Sequence, residues 1–280
     1  MFFHGKAKKI LVIGDTHGGS KFGIWPEPIW METGPPGGQR FRNTAQRYLL
    51  NCWETMLKEI PHKLYAVFHM GDATDGKARK NFLDDTFERV PTRQAEGIEL
   101  LLDDVVRRTP RYYQMMGTEY HTGQYAEAEQ TLAKNLKAIK SDYGEWAWLT
   151  LNRTIEGVAI NAKHHISVPV VYRETPLGRE GLFSAVAPQV RNKPSLVLRG
   201  HCHYFCHVEH SRVHVCTVPC WQTQTSYMRQ KSEFRLVPDI GYLLVEIRPT
   251  AKGDPVRIHK RLFAHPPMLQ KEMGDDKPPR

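Results

Sequence analysis

Apolar positions along the chain fall into two patterns, short continuous runs and stripes at helical spacing. KKILVIG, residues 8–14, is a continuous run of Ile, Leu and Val, the pattern of a buried parallel strand. Asn43 is placed to cap a helix in which Ala45, Leu49, Cys52, Trp53, Met56, Leu57 and Ile60 recur at helical spacing as far as Pro61. LYAVFHMGD, 64–72, repeats the strand pattern. The spacing then predicts a helix over 92–108, with Ala95, Ile98, Leu102, Val105 and Val106 on one face and Pro110 beyond its end. RYYQMMGTEYH, 111–121, opens as a third strand, and Ala128, Leu132, Leu136 and Ile139 make 126–140 amphipathic. Further strands are predicted at 147–153, 157–164 and 195–203, with a helix over 176–187. Beyond these the pattern turns β-rich, with a hairpin about His210-Ser211 and strands over 240–248 and 256–263. Alternating strands and helices predict a layered α/β fold forming one domain over 1–264, with 265–280 a flexible tail rich in Pro and mixed charge. Ser20–Gly38, rich in Trp, Pro and Gly, is long for an internal connection and reads as a lid or substrate wall.

Five of the strand-like segments end in metal-binding residue types. They deliver Asp15 and His17, Asp72 with Asp75, Glu119 and His121, His164 and His165, and His201 and His203. In layered α/β folds ligands gather beyond the carboxyl ends of the strands, so these loops are expected to meet in one crevice. Carboxylates with neutral imidazoles form a mixed oxygen and nitrogen site suited to Mn, Fe, Zn or Ni. The set exceeds the four ligands of a single zinc, so two divalent ions fit better. Two ions sharing a carboxylate and a bridging hydroxide are the arrangement for in-line attack at phosphorus, which predicts phosphoester hydrolysis.

Composition narrows the picture. The apolar fraction of 40% is enough for a substantial core. A net charge of +9, with a pI near 9.3, concentrates polyanions and makes DNA or RNA a candidate substrate. No segment approaches the ~20 apolar residues that a membrane span needs, so no membrane partner is expected. The odd cysteine count and the early charge of MFFHGKAKK predict a reducing, cytoplasmic compartment. Cys202, Cys206, Cys216 and Cys220 have a zinc-like C-x3-C-x9-C-x3-C spacing. A turn at His210-Ser211 would place Cys206 opposite Val215 and Cys216 opposite Phe205, on different faces, so these thiols are expected to be buried apolar groups. Trp25 and Trp30 are expected to pin the long loop to the core rather than stack on bases, and Trp146 and Trp148 to lie in the core.

GDTH (14–17), GDATD (71–75), GTEYH (117–121), KHH (163–165) and GHCH (200–203) resemble, in order, the motif series of the calcineurin-like metallophosphoesterases. The resemblance covers about residues 8–264. It implies a β-sandwich flanked by helices and a bimetal hydrolase. Asp15, His17 and His203 would hold the first metal, Asp72 would bridge, and His164 and His201 would hold the second. His165 is the alternative to His164 or its outer partner, and Asp75 orients a ligand or a nearby basic side chain.

The third motif departs from the family's Gly-Asn-His. The resemblance then gives Glu119, a hard-metal ligand, the role of the Asn, with Thr118 a poor substitute, and makes His121 the general acid at the leaving oxygen. This variant resembles phage and prophage members of the family, which hints at a phage or prophage origin. With Glu119 as ligand, two divalent ions, a hydroxide and three carboxylates come to zero net charge, which disfavours dianionic monoesters relative to diesters. Gly76 and Lys77 follow GDATD where the family's protein phosphatases carry Arg, so protein substrates are not expected, and Lys77 or Arg79 could touch phosphate. The expected activity is a nuclease-like or nucleotide-directed phosphodiesterase. Its rivals are a phosphomonoesterase acting on a small metabolite or a polynucleotide end, and an inactive binding protein of the same fold.

Overall fold

The computed structural model describes residues 7–26, 43–76, 85–169, 171–186, 193–210, 212–232, 237–248 and 253–265. Trp30, Lys77, Arg79, most of the 20–38 segment and the predicted tail beyond His265 lie outside the described residues. In chain order the first elements are β1 (Lys8–Ile13), α1 (Thr44–Glu59), β2 (Ala66–His69), α2 (Pro91–Val106) and β3 (Tyr112–Met115). Then come α3 (Glu119–Thr122), α4 (Glu127–Asn135), β4 (Ala147–Trp148), β5 (Leu151–Ile155), β6 (Val158–Lys163) and α5 (Glu174–Val186). The chain continues through β7 (Leu196–Arg199), β8 (Cys206–His210), β9 (Val213–Thr217), α6 (Ser226–Ser232), β10 (Ile240–Ile247) and β11 (Val256–Phe263).

The strands form two sheets, ordered β11-β10-β1-β2-β3-β4 and β5-β6-β7-β9-β8. β1 to β4 run parallel, as do β6, β7 and β9, and the outer strands are antiparallel. Period-two alternation divides β1 between two cores. Leu11 and Ile13 pack with Leu49, Trp53 and Met56 of α1, Ile98 and Leu102 of α2, and Leu132 of α4. Ile10 and Val12 pack toward Ile160, Leu196, Leu198 and Cys216 of the second sheet. The outer face of that sheet, with Val197 and Val215, is covered by Leu177 of α5. Helices, sheet, sheet and helix therefore stack as four layers, the helix-flanked β-sandwich expected from the sequence.

Asn43 caps α1 with a reciprocal capping box: its side chain accepts from Gln46 N at 2.9 Å, and the Gln46 side chain accepts from Asn43 N at 3.2 Å. Two expectations differ. The single strand predicted over 147–153 is two: β4 ends the first sheet and β5 begins the second, with exposed Leu149 at the crossing. The hairpin turns one residue later than expected, pairing His210 with Val213 and Cys206 with Thr217. That register shift preserves parity, so Cys206 and Cys216 still face opposite ways, and the five cysteines are free. Trp148 is buried and Trp146 packs against the core. Among the described residues no helix is long and apolar enough to cross a membrane.

Candidate metal centre

The loops after β1, β2, β3, β6 and β7 meet where the carboxyl ends of the parallel strands of both sheets converge. Past β1 and β2 the backbones continue side by side, with Asp15 N donating to Gly71 O at 2.8 Å, His17 N to Asp72 O at 3.1 Å and Gly18 N to Ala73 O at 2.9 Å. The β7 loop joins them through His201 N, which donates to Asp15 Oδ1 at 3.1 Å. Close approach requires glycine at two places. A Cβ on Gly117 would lie 2.2 Å from Asp72 Oδ1, and one on Gly200 would lie 2.8 Å from His164 Nδ1.

Five of the ten described non-glycine residues in left-handed backbone are ligand-type residues of this centre. Asp15, His17, Asp72, His201 and His203 have φ of 52°, 45°, 49°, 69° and 57°. This left-handed region costs a non-glycine residue about 1–2 kcal/mol. It is held at functional sites when the surrounding structure fixes it, and the loop hydrogen bonds do so here.

Two groups of donors result, each with one ligand-type atom per residue within 4.8 Å of the others: Asp15, His17 and His203, and Asp72, His164 and His201. A third group, His17, Asp72 and His121, links them. His203 Nε2 lies 3.2 Å from Asp15 Oδ1 and 3.0 Å from His17 Nε2. His164 Nδ1 carries a proton that it donates to Met70 O at 2.7 Å, and its Nε2 faces Asp72 Oδ2 at 3.1 Å. His17 Nδ1 and His203 Nδ1 are buried without hydrogen-bond partners. The nitrogens that face the two buried carboxylates, His164 Nε2 beside Asp72 and His203 Nε2 with His17 Nε2 beside Asp15, are a donor set that fits divalent cations.

The electrostatics agree. Burial opposes charge on Asp15 and Asp72, yet His164 beside them holds both carboxyls below the ordinary range, Asp72 well below it. Burial also opposes charge on His164, but Asp72 and Asp15 push its pKa up to about 9. Burial and His164 push His201 down to about 4. In the metal-free chain a proton on His164 therefore occupies the place a cation would take, and His201 stays in the neutral, ligand-competent form.

The remaining expected residues fall as follows. Asp75 Oδ1 faces His17 Nδ1 at 3.6 Å, and its Oδ2 accepts from Thr86 Oγ1 at 2.8 Å. His121 Nδ1 donates to Asp75 O at 2.9 Å, and its ring packs edge-on to His17. His165 is exposed and stacks on His201, with ring centroids 5.0 Å apart. Glu119 is not brought into the cluster. It opens α3, whose coil is fixed by Thr118 O accepting from His121 N and Thr122 N, and its exposed side chain lines a neighbouring cavity with Gly123 and Glu127. Thr118 instead reaches the centre, donating from its N to Asp72 Oδ1 at 2.7 Å and from Oγ1 at 3.1 Å. The charge neutrality expected with Glu119 as a ligand does not hold for this geometry.

Two further residues, Glu129 and His69, support the centre without a sequence motif. Glu129 of α4 is fully buried and accepts from Ala73 N at 3.0 Å and from Gly117 N, so one carboxyl clamps the loops on both sides of Asp72. Burial, then Asp72, pushes its pKa up to about 8. His69 Nδ1 accepts from Gly71 N at 3.3 Å and from Gln114 Nε2 at 3.1 Å, and burial holds its pKa down at about 4. The available signal was a carboxylate in an otherwise apolar stripe, since Glu129 shares a helix face with Leu132, Ala133 and Leu136.

A cavity of about 500 Å³ opens over the centre, lined by Asp72, His121, His201 and His203 and walled by Tyr120, Tyr227, Met228, Asp75 and Asp85. Trp25 is not in this wall. It is buried, edge-on to Phe87, and a Cβ on Gly97 of α2 would meet its ring.

No family model matches the chain, and no curated protein matches it. Among solved structures, Vps29 of Entamoeba histolytica, complexed with Zn2+, aligns over 91% of this chain and 99% of its own at 11% identity and a TM-score of 0.40. A predicted phosphoesterase of Streptococcus pneumoniae covers 92% and 99% at 13% identity and a TM-score of 0.36. A novel archaeal phosphodiesterase covers 90% and 99% at 11% identity and a TM-score of 0.44. At such scores any reading of function rests on the site's own geometry.

Proposed function

We propose that this protein is a dinuclear-metal phosphoesterase acting on phosphodiesters, with nucleotide-derived esters as its substrate class. The observation that carries the reading is the meeting of Asp15, His17 and His203 with Asp72, His164 and His201, most of them held in left-handed backbone. In the proposal Asp15, His17, His203 and Asp72 hold one ion, and Asp72, His164 and His201 the other. Divalent ions bound there would supply Lewis acidity for phosphoryl oxygens and acidify water at neutral pH.

The chain's own groups do the rest. Asp75 faces His17 across 3.6 Å and, through its carbonyl, fixes the His121 tautomer with the proton on Nδ1. His121 Nε2 is then the nitrogen free to exchange a proton with the leaving oxygen. Asp75 and Asp85 line the crevice and repel the second negative charge of a monoester, which supports diesters. Tyr120, Tyr227 and Met228 offer an aromatic and apolar wall for a base, and the charge of +9 favours approach of polyanions.

The test is chelator-stripped protein reloaded with Mn2+ or Zn2+ and assayed on bis-p-nitrophenyl and p-nitrophenyl phosphate. Metal-dependent turnover, faster on the diester and lost with bound metal in Asp72→Ala, is expected. Protein that binds metal but hydrolyses neither ester would refute the enzymatic reading, and a clear monoester preference would refute the diester assignment.

A further inference from the structure

At the other end of the second sheet a separate set of ligand-type side chains comes together. His207 and Glu209 are two residues apart on β8 and share a face, and His214 of β9 pairs directly with Glu209. In the parallel register His214 lies beside Leu196 at the start of β7, whereas the centre described above follows Arg199 at its end. One ligand-type atom from each of His207, Glu209 and His214 falls within 4.8 Å of the others.

His214 is buried, and its Nε2 lies 2.6 Å from Asp254 Oδ2, in the turn that leads to β11 of the other sheet. That carboxylate fixes the His214 proton on Nε2 and leaves Nδ1 with the lone pair. Nδ1 faces His207 Nε2 at 3.0 Å and Glu209 Oε2 at 3.9 Å. Two nitrogens 3.0 Å apart suit ligation of one ion at the ~2.0–2.1 Å of a Zn–N bond. A ligating imidazole whose other nitrogen donates to a carboxylate is the usual support of a metal-bound histidine.

We propose that His207, Glu209 and His214 bind one zinc-class transition-metal ion, with Asp254 as the positioning carboxylate. The ion takes the place of the proton that His207 Nε2 shares with His214 Nδ1, and that proton moves to His207 Nδ1, so both imidazoles stay neutral. It ties β8 to β9 and, through Asp254, the edge of the second sheet to the edge of the first, so its role is structural. Two histidines and a glutamate leave a coordination position for water. This inference does not depend on the proposed activity.

The test uses the Asp15→Ala/Asp72→Ala double variant, which removes the first centre, with zinc uptake followed by equilibrium dialysis and the melting temperature followed in parallel. One zinc ion per chain is expected to remain bound and to raise the melting temperature. Adding His207→Ala and Glu209→Gln, both at exposed positions, abolishes both effects. Asp254→Asn weakens zinc binding by about 10–100-fold. A double variant that binds no zinc, or zinc retained after His207→Ala and Glu209→Gln, would overturn the proposal and leave His207, His214 and Asp254 as a hydrogen-bonded chain.

Discussion

Glu129→Gln exchanges one carboxyl oxygen for an amide nitrogen at a position with no solvent exposure. Oε1 of Glu129 accepts from Ala73 N at 3.0 Å and Oε2 accepts from Gly117 N. A glutamine has one acceptor for these two backbone donors, so its amide nitrogen must face an N–H. A buried donor left facing another donor costs about 1–3 kcal/mol, so the variant is less stable wherever Glu129 holds its proton. A second effect has the opposite sign. Burial and Asp72 raise the folded-state pKa of Glu129 from 4.5 to about 8. Across that window the folded chain keeps a proton that the unfolded chain has released, so the stability of the native protein falls as pH rises, by about 1.4 kcal/mol per unit, and levels off above the folded pKa. Glutamine does not titrate. The stability difference between the two proteins therefore shrinks with rising pH and reverses between about pH 5 and 7, where the native protein has lost about 1–3 kcal/mol. Urea unfolding of chelator-treated protein from pH 5 to pH 8 measures this, because other titrating groups are common to both proteins and cancel. A difference that stays constant to within about 0.5 kcal/mol across the range would refute the buried, proton-retaining clamp.

Three other outcomes are expected. Glu119→Gln leaves metal content and diester turnover unchanged; a loss of either would place its carboxylate at the centre. His121→Ala lowers kcat by about 10²–10⁴-fold while the ions remain bound, measured by steady-state kinetics beside metal analysis. At His201, with φ of 69°, glycine is more stable than alanine by about 1–2 kcal/mol in metal-free protein, the reverse of the usual order, and chemical denaturation of the two variants reads it directly.

How much the chain declared in advance depended on whether a residue's role was written in local pattern. α1, with Asn43 at its cap, and β1, a continuous apolar run buried on both faces, were legible because capping and such runs are local properties. The split of 147–153 into β4 and β5 was not, since the crossing at Leu149 is decided by which sheet each half pairs with. The hairpin register was missed because nothing in His210-Ser211-Arg212 says which two residues turn, although Arg212 adopts φ of 73°. At the site, residues after apolar runs were readable as ligand types. Glu119, expected as a ligand from its carboxylate and its place in the third motif, lies outside the cluster because the coil of α3 turns it outward. Glu129 and His69 stayed hidden because each sits in a stripe otherwise occupied by core residues.

The strained backbone argues for chemistry independently of any motif. Glycine adopts φ near +50° without steric cost and stands next in sequence to the positions that need it: Gly14 precedes Asp15, Gly18 follows His17, Gly71 precedes Asp72 and Gly200 precedes His201. Left-handed backbone also occurs away from the centre, at Ala126, Lys137, Glu156, Tyr172 and Arg212, but at the centre a glycine that would suit each of these positions stands one residue away. Here an aspartate or a histidine occupies them, at about 1–2 kcal/mol each, and each is desolvated besides. The compensating contacts, such as Trp221 N on Asp15 O at 3.0 Å, engage the backbone and would form equally well with glycine. What glycine could not provide is the side-chain donor set, so the selective gain from these residues lies in what their carboxylates and imidazoles bind. In the metal-free chain that same set pushes His164 up to about 9 while holding His201 near 4, a charge pattern a cation would relieve.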